Sequence, residues 1–319
     1  MLISLIICTY NRSDILKISL QSYLKLIVPK GIEVELVIVD NNSKDNTNKT
    51  IHSFIEKSPR LDCRYIFEPQ QGLSYARNTG YQYAKGDYIA YLDDECTLPP
   101  QWLEVAIKTI NSYSPAFLGG PYYGKYLPGS SSDWFKESFG DSYILQYNLD
   151  DGAMPEGRFI SGGNMLIRRD VFDEIGLFDT ALGMAGDTLN YGEEQDFQKR
   201  YILKKPNEVI WYSTDLFVWH FIRDEKMSIK HLFNEAIIRG RSSARTNNQS
   251  LILIRLSPLL LIGSVVRAVF SAIYKFFQSI FFNKPYFSLL YHDYKNGVWR
   301  DIGGLWEKVL ILRDRLTSK

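Results

Sequence analysis

Tyr88-Ile89-Ala90-Tyr91-Leu92-Asp93-Asp94-Glu95 is an apolar run that ends in three consecutive acids. Residues 88–93, opened by five uncharged aromatic or aliphatic residues, read as a strand covered on both faces. The acids that follow belong to no core. Three adjacent carboxylates repel, and no basic residue stands beside them in the sequence, so their charge calls for a bound cation. Oxygen ligands of this kind suit Mg²⁺ or Mn²⁺. A solvated acidic loop is the plain alternative.

Similar runs precede this one. Residues 3–8, 34–40 and 64–67 read as strands, and residues 15–27, 46–57, 74–85 and 101–113 as helices. Strands apolar on both faces and separated by helices predict an α/β fold, a mostly parallel sheet with helices on both faces. Ligands of such sheets bind beyond the carboxyl ends of the strands. There the polar residues collect: Thr9-Tyr10-Asn11-Arg12 after the first strand, Asp40-Asn41-Asn42-Ser43 after the second, Asp93-Asp94-Glu95 after the fourth. Asn11 and Ser43 have turn or helix N-cap duty as the plain alternative, expected of Ser43 whatever the function. Asp40 is read as functional, because a carboxylate closing an apolar strand gains little from capping a helix several residues on. Residues 119–163, dense in Gly, Pro, Ser, Asp and Tyr, read as loops and short strands. Further strands are expected over 159–168, 208–211 and 216–219, and a helix over 194–203.

Composition excludes several classes. At 319 residues and 45% hydrophobic content the chain can bury a core and is not disordered. Cys8, Cys63 and Cys96 are an odd number without C-x-x-C spacing, which argues against a disulfide framework or a structural zinc site and fits a reducing compartment. The opening apolar run is too short for a signal segment, so the N-terminal part is expected in the cytoplasm. Residues 251–319 hold 10 Lys/Arg against 4 Asp/Glu, a net of +6 that leaves about −5 for the rest. No basic stripe interleaved with aromatics marks the N-terminal part, so no nucleic-acid partner is expected.

Three more clusters bear on chemistry. Gln71-Gly72-Leu73-Ser74-Tyr75-Ala76-Arg77-Asn78-Thr79-Gly80 opens a helix: Gly72 lets a ligand approach the backbone, and Arg77 can neutralise phosphate unless it is simply a solvated helix residue. Tyr191-Gly192-Glu193-Glu194 begins another, where acids are also favoured by the helix dipole. His220 follows Val218-Trp219 and reads either as a nitrogen ligand for an acidic metal site or as a core histidine.

Taken in order, Thr9-Tyr10-Asn11-Arg12, Val39-Asp40-Asn41-Asn42-Ser43, Gly72…Ala76-Arg77-Asn78-Thr79-Gly80, Leu92-Asp93-Asp94-Glu95, Ser161-Gly162-Gly163-Asn164 and Gly192-Glu193-Glu194 resemble the motif series of family 2 glycosyltransferases with the GT-A fold, over about residues 1–245. The resemblance implies a Rossmann-like GT-A domain over residues 1–248 and an inverting, metal-dependent, hexosyltransferase-type activity on a nucleotide-diphosphate sugar. It points to Thr9, Tyr10, Asn11, Arg12, Asp40, Gly72, Arg77, Asp93 and Asp94 for the nucleotide sugar. Asp93, Asp94, Glu95 and His220 fall to Mg²⁺ or Mn²⁺, and Glu193 and Glu194 to catalysis, with Glu194 as the base. Glu95 and Glu194 stand where the family commonly has Asp. Asn164, Gly163 and Trp134, with Tyr122 and Tyr123, are expected to meet sugar or acceptor.

Residues 249–319 read as a helical tail. Residues 251–290 hold no acid and only Arg255, Arg267, Lys275 and Lys284 as basic residues. Their uninterrupted apolar runs fall short of the ~20 residues of a spanning helix. The expectation is helices lying on an anionic membrane surface at its cytoplasmic face, with helices packed on the protein, or a kinked or re-entrant span, as the alternatives. A saccharide or lipid-linked acceptor follows from that location. Two other functions compete: a nucleotidyltransferase acting on sugar phosphates, which would carry a Gly-rich basic loop after the first strand, and a non-catalytic sugar-binding module, which would not need Glu193 and Glu194.

Overall fold

The computed structural model describes residues 1–59, 61–127, 133, 135–136, 149–186, 191–246, 251–282 and 298–317. The order begins β1 (Leu2–Thr9), α1 (Ser13–Tyr23), β2 (Glu33–Asp40), α2 (Thr47–Lys57), β3 (Asp62–Phe67), α3 (Leu73–Tyr83) and β4 (Tyr88–Asp93). It continues with β5 (Cys96–Thr97), α4 (Trp102–Tyr113), β6 (Phe117–Gly119), β7 (Tyr122–Tyr126), β8 (Gly152–Ala153), β9 (Asn164–Arg168) and α5 (Asp170–Ile175). Then come α6 (Glu193–Lys204), β10 (Ile210–Tyr212), β11 (Val218–Ile222), α7 (Ile229–Thr246), α8 (Leu251–Phe282) and α9 (Val298–Thr317).

An eight-stranded sheet runs β3-β2-β1-β4-β9-β6-β10-β8. β1 to β4 are parallel, β9 lies antiparallel between β4 and β6, and β8 is antiparallel to β10. From β1 the chain moves outward through β2 to β3, then returns to place β4 on the other side of β1. The gap between the carboxyl ends of β1 and β4 is therefore the topological switch point, where such sheets take ligands.

Alternation along the strands divides the core into two layers. Ile3, Leu5 and Ile7 of β1 pack with Leu36, Ile38, Leu92 and the apolar faces of α1, α2 and α4, including Leu16, Leu20, Ile51 and Trp102. Ile6, Val37, Val39, Ile89 and Tyr91 face the other way, toward Ala76, Phe172, Phe197 and Tyr201. Gly80 lets α3 close on this face, since a Cβ there would lie 2.6 Å from Ile6 Cγ2. Thus both faces of the strands are apolar because both are covered.

The chain divides into two compact units. The first takes in Met1–Lys125, Ile144–Thr188 and Glu193–Phe221, and it carries the large sheet. The second includes Ile222–Lys319, reaching back past residue 249 to α7. There α7 and α9 touch backbone to backbone: a Cβ on Gly240 would lie 1.9 Å from the Arg300 carbonyl oxygen, and one on Gly303 2.0 Å from that of Ile237. In α8 the stretch Ser257–Lys275, with mean hydropathy 1.6, is long and apolar enough to cross a membrane by length and composition. Counting only uninterrupted runs made it look too short. The helix continues through Arg267, whose guanidinium pairs with Asp301 at 2.7 Å.

Candidate active site

The loops after β1 and β2 are tied to each other before any ligand is considered. Asn11, at φ 51°, donates its N–H to Ser43 Oγ (2.9 Å), and its Oδ1 accepts from Lys44 N (2.7 Å). Ser13 N and Arg12 N donate to Asp45 and Thr47 at 3.0 and 3.2 Å. Ser43 therefore bridges two strand-end loops and does not cap α2, which starts at Thr47. Asp40 is buried and does have local work. Its Oδ1 accepts from Ser43 N (2.9 Å) and its Oδ2 from Tyr65 OH (3.2 Å), so the carboxylate shapes this loop, contrary to the argument from helix capping. Gly72, at φ 150°, is held by Asn41, whose Oδ1 accepts from its N–H at 2.8 Å.

Next to these loops stand the acids at the end of β4, and basic groups do flank them in space. Arg12 Nη1 lies 2.8 Å from Glu95 Oε2 and 3.6 Å from Asp94 Oδ1. His220 Nε2 lies 3.3 Å from Glu95 Oε1 and 3.7 Å from Asp93 Oδ2. The mutual repulsion of the acids is thus offset partly by the Arg12 guanidinium, which is distant in sequence. Burial pushes the Asp94 carboxyl up, against Arg12, which favours its charge. Asp93 goes the other way: burial would raise it, but the hydrogen bond and charge of His220 hold it below the usual carboxylate range.

The small sheet β5-β11-β7 delivers His220. β5 follows the acids directly and pairs antiparallel with β11, setting His220 opposite Cys96, while Phe221 N donates to Glu95 O (2.9 Å). On the imidazole, Nδ1 stands 3.0 Å from the Phe221 carbonyl, which can only accept, so Nδ1 carries a proton. In the neutral ring Nε2 then turns a lone pair toward two carboxylates. A cation between them satisfies all three groups, and this arrangement fits a divalent ion. One ligand atom each from Asp93, Cys96 and His220 lie within 4.8 Å of one another. Cys96 was not expected there; only the pairing of β5 with β11 brings its thiol in.

Arg77 departs from the picture of a solvated helix residue. Only 3% exposed, it places Nη1 2.6 Å from Glu193 Oε1 and sits over the rings of Tyr91 and Phe178. Burial alone would favour its neutral form; Glu193 and Glu194 overcome this and hold it charged. Among the described residues, Glu193 Oε2 and Glu194 Oε2 are buried with no hydrogen-bond partner. Burial first, then the charge of Glu193, push the Glu194 carboxyl up to about 8.

The turn before β9 backs both groups. A Cβ on Gly162 would lie 2.2 Å from Arg77 Nη2, and one on Gly163 2.0 Å from Asp93 Oδ2. Both glycines are therefore required by close approach. Asn164, in contrast, is fully buried: Oδ1 accepts from Trp102 Nε1 (3.1 Å) and Nδ2 donates to Leu216 O (2.7 Å). Its amide thus holds the wall of the site together, tying Trp102 to the Leu216 carbonyl. Tyr122 is buried as well, its hydroxyl accepting from Gly163 N (2.8 Å), and Tyr123 packs on Phe217 and Trp219. Thr9 is buried beside Asp94 and favours that carboxylate's charge, while Tyr10 is half-buried. Trp134 lies outside the described residues.

The chain is similar to several known proteins. The glycosyltransferase AglE of Haloferax volcanii is 28% identical over 185 residues, 58% of this chain and 58% of AglE. The succinoglycan biosynthesis protein ExoM of Rhizobium meliloti is 28% identical over 192 residues, 60% of this chain and 58% of ExoM. The chain thus spans less than two thirds of the length of either relative. Among solved structures, the mannosyltransferase PcManGT of Pyrobaculum calidifontis, in complex with GDP-Man and Mn²⁺, matches with a TM-score of 0.63 at 15% identity, covering 96% of this chain and 87% of that one. That likeness shows the fold, the GT-A fold that the motif series implies. Residues 4–176 match the family described as glycosyl transferase family 2, and with more than half of its length so matched the chain belongs to that family.

Proposed function

We propose that this chain is an inverting, metal-dependent glycosyltransferase that moves a hexosyl group from a nucleotide-diphosphate sugar to a hydroxyl of a saccharide or lipid-linked acceptor. The observation that carries the reading is the gathering of Asp93, Glu95 and His220 at the switch point of the sheet, in the same unit as the buried Arg77–Glu193–Glu194 cluster. Asp93, Glu95 and His220 would hold Mg²⁺ or Mn²⁺, with Asp94 beside them. When bound, such an ion supplies positive charge for a diphosphate leaving group. The complex of PcManGT with GDP-Man and Mn²⁺ supports this choice.

The remaining roles fall to protein groups. Thr9, Tyr10, Asn11, Asp40 and Gly72 frame the nucleoside, their loops pre-set by the hydrogen bonds between residues 11–13 and 43–47. Arg77 fixes Glu193, which leaves Glu194 to take the proton from the acceptor hydroxyl as that oxygen attacks the anomeric carbon from the face opposite the diphosphate. A carboxyl raised to about 8 is a stronger base than an ordinary one, and its depressed charge in the resting site reflects the burial that makes it so. Glu194→Gln should abolish transfer while sparing nucleotide-sugar binding; a variant that still transfers removes Glu194 from the role.

We assign the chemistry to residues 1–248 and membrane attachment, at the cytoplasmic face, to residues 249–319. The support is α8: Leu259, Ile262, Val266, Val269, Phe270 and Ile273 form one exposed apolar stripe, with Leu259 71% and Phe270 69% exposed. Ser257, Ser264 and Ala268 on the opposite side are buried, so the helix is amphipathic in packing though not in charge. Leu259→Glu with Phe270→Glu should release the full chain from vesicles in a flotation assay; unchanged flotation would contradict the assignment.

A further inference from the structure

Among the described residues, a cleft of about 400 Å³ opens within the second unit, walled by α7, α8 and α9. No residue of the acidic site lines it. Its charged and hydroxyl lining comprises Arg267, Arg300, Lys308, Asp301, Ser243 and Ser264, three cations against one acid, for a net of +2. The backbone contact of α7 with α9 at Gly240 and Gly303 leaves little freedom to two of its walls. The third wall is the flank of α8: Leu260, Ser264 and Arg267 recur at i, i+4 and i+7, with Ser264 at the edge of the buried seam and the other two between it and the exposed apolar stripe.

We propose that this cleft is a binding site for the phosphate headgroup of an anionic membrane lipid, with Arg300 and Lys308 as its principal cationic contacts. Guanidinium and ammonium groups recognise phosphate oxygens, and the hydroxyls of Ser243 and Ser264 add donors of the kind that accompany them. The volume is that of a small-ligand site. What distinguishes a lipid from a free phosphate is the same helix: α8 carries Arg267 in the cleft and, around its circumference, Leu259, Ile262 and Val266 open to the surroundings. One face offers charge to a headgroup while the neighbouring face offers apolar surface to its chains. Asp301 pairs with Arg267 at 2.7 Å and ties α8 to α9 beside the site. The inference rests on the membrane reading of the tail and deepens it by naming the headgroup chemistry and its residues.

The test uses the full chain and two kinds of probe. Short-chain phosphatidylglycerol, dispersed below its micelle concentration, reports on the cleft without a bilayer; phosphatidylcholine vesicles, with and without phosphatidylglycerol, report on membrane attachment. Arg300→Gln with Lys308→Gln should weaken binding of the dispersed anionic lipid by about two orders of magnitude, at the ~1.5 kcal/mol or more of each hydrogen bond to a charged group. Arg313→Gln, a basic change on α9 outside the cleft, should leave it unaltered, and Arg300→Lys with Lys308→Arg should restore it. Inorganic phosphate should bind more weakly than the lipid; equal affinity would make this a free-phosphate site and overturn the lipid assignment. Equal losses from Arg313→Gln and from the double variant would replace the site by diffuse attraction. Attachment to neutral vesicles, with no binding of dispersed phosphatidylglycerol, would overturn the headgroup site while leaving the membrane reading intact.

Discussion

Gly163→Ala isolates the position of Asp93 from its chemistry. The added Cβ would stand 2.0 Å from Asp93 Oδ2, 2.1 Å from Cγ and 2.4 Å from Oδ1. Non-bonded atoms settle at about 3.5 Å, so the carboxylate must retreat by roughly 1 Å or more. The backbone offers no easy escape, because Asp93 N donates to Gly163 O at 3.2 Å and Gly163 N donates to Tyr122 OH at 2.8 Å. Overpacking of this kind costs about 1–3 kcal/mol of stability. Displacing a positioned group by about 1 Å costs on the order of 100-fold in catalysis. The expected result is therefore a folded protein, melting a few degrees lower, whose Mn²⁺ affinity and kcat/KM fall together by about two orders of magnitude. Titration calorimetry with Mn²⁺ and a transfer assay measure both. Gly263→Ala is the control, since nothing lies within 4 Å of a Cβ there. Wild-type Mn²⁺ affinity in Gly163→Ala would refute the placement of the ion at Asp93.

Three further outcomes follow from the same geometry. Glu194 must be ionised to accept a proton, and its carboxyl sits up at about 8, so kcat/KM should rise with pH through about 8; Arg77→Gln, which removes a charge that favours ionisation, should move that limb higher. A limb near the ordinary carboxylate range would detach Glu194 from it. Arg77→Gln should also destabilise the fold by about 3–5 kcal/mol in chemical denaturation, because it strands the buried Glu193 carboxylate, and a neutral result would show that Glu193 is not held by this pair. Arg12→Gln removes the cation 2.8 Å from Glu95, so the metal-free melting temperature should fall and added Mn²⁺ should recover most of the loss; equal losses with and without Mn²⁺ would mean the two cations serve different groups.

The parallel half of the sheet was legible because its signals are local. β4 spans residues 88–93 as expected, and β1 to β3 differ at their ends by one or two residues. α1 stops at Tyr23, short of the expected 27, where the chain turns toward Pro29. Strand 159–168 shortens to Asn164–Arg168, because the glycines that admit Arg77 and Asp93 occupy the turn before it. What the sequence could not show was pairing at long range. The antiparallel insertion of β9 between β4 and β6 leaves no periodic mark, nor does the pairing of β5 with β11 that joins His220 to Cys96 and Glu95. The acids were found from their adjacency, but the guanidinium and the imidazole that face them come from residues 12 and 220. Nor could local pattern show that Arg77 would be buried against Glu193, or Asn164 between Trp102 and Leu216.

The most direct measurement is the melting temperature against a panel of nucleotide sugars with and without Mn²⁺, in wild type, Asp93→Asn and His220→Ala. A ligand at one hundred times its Kd stabilises the native state by about 2.7 kcal/mol. The account predicts that one class of nucleotide sugar raises the melting temperature of wild type only when Mn²⁺ is present, and that neither variant shows the increment. Stabilisation of the same size without Mn²⁺, or its persistence in Asp93→Asn, would contradict a metal-bridged donor site at the end of β4.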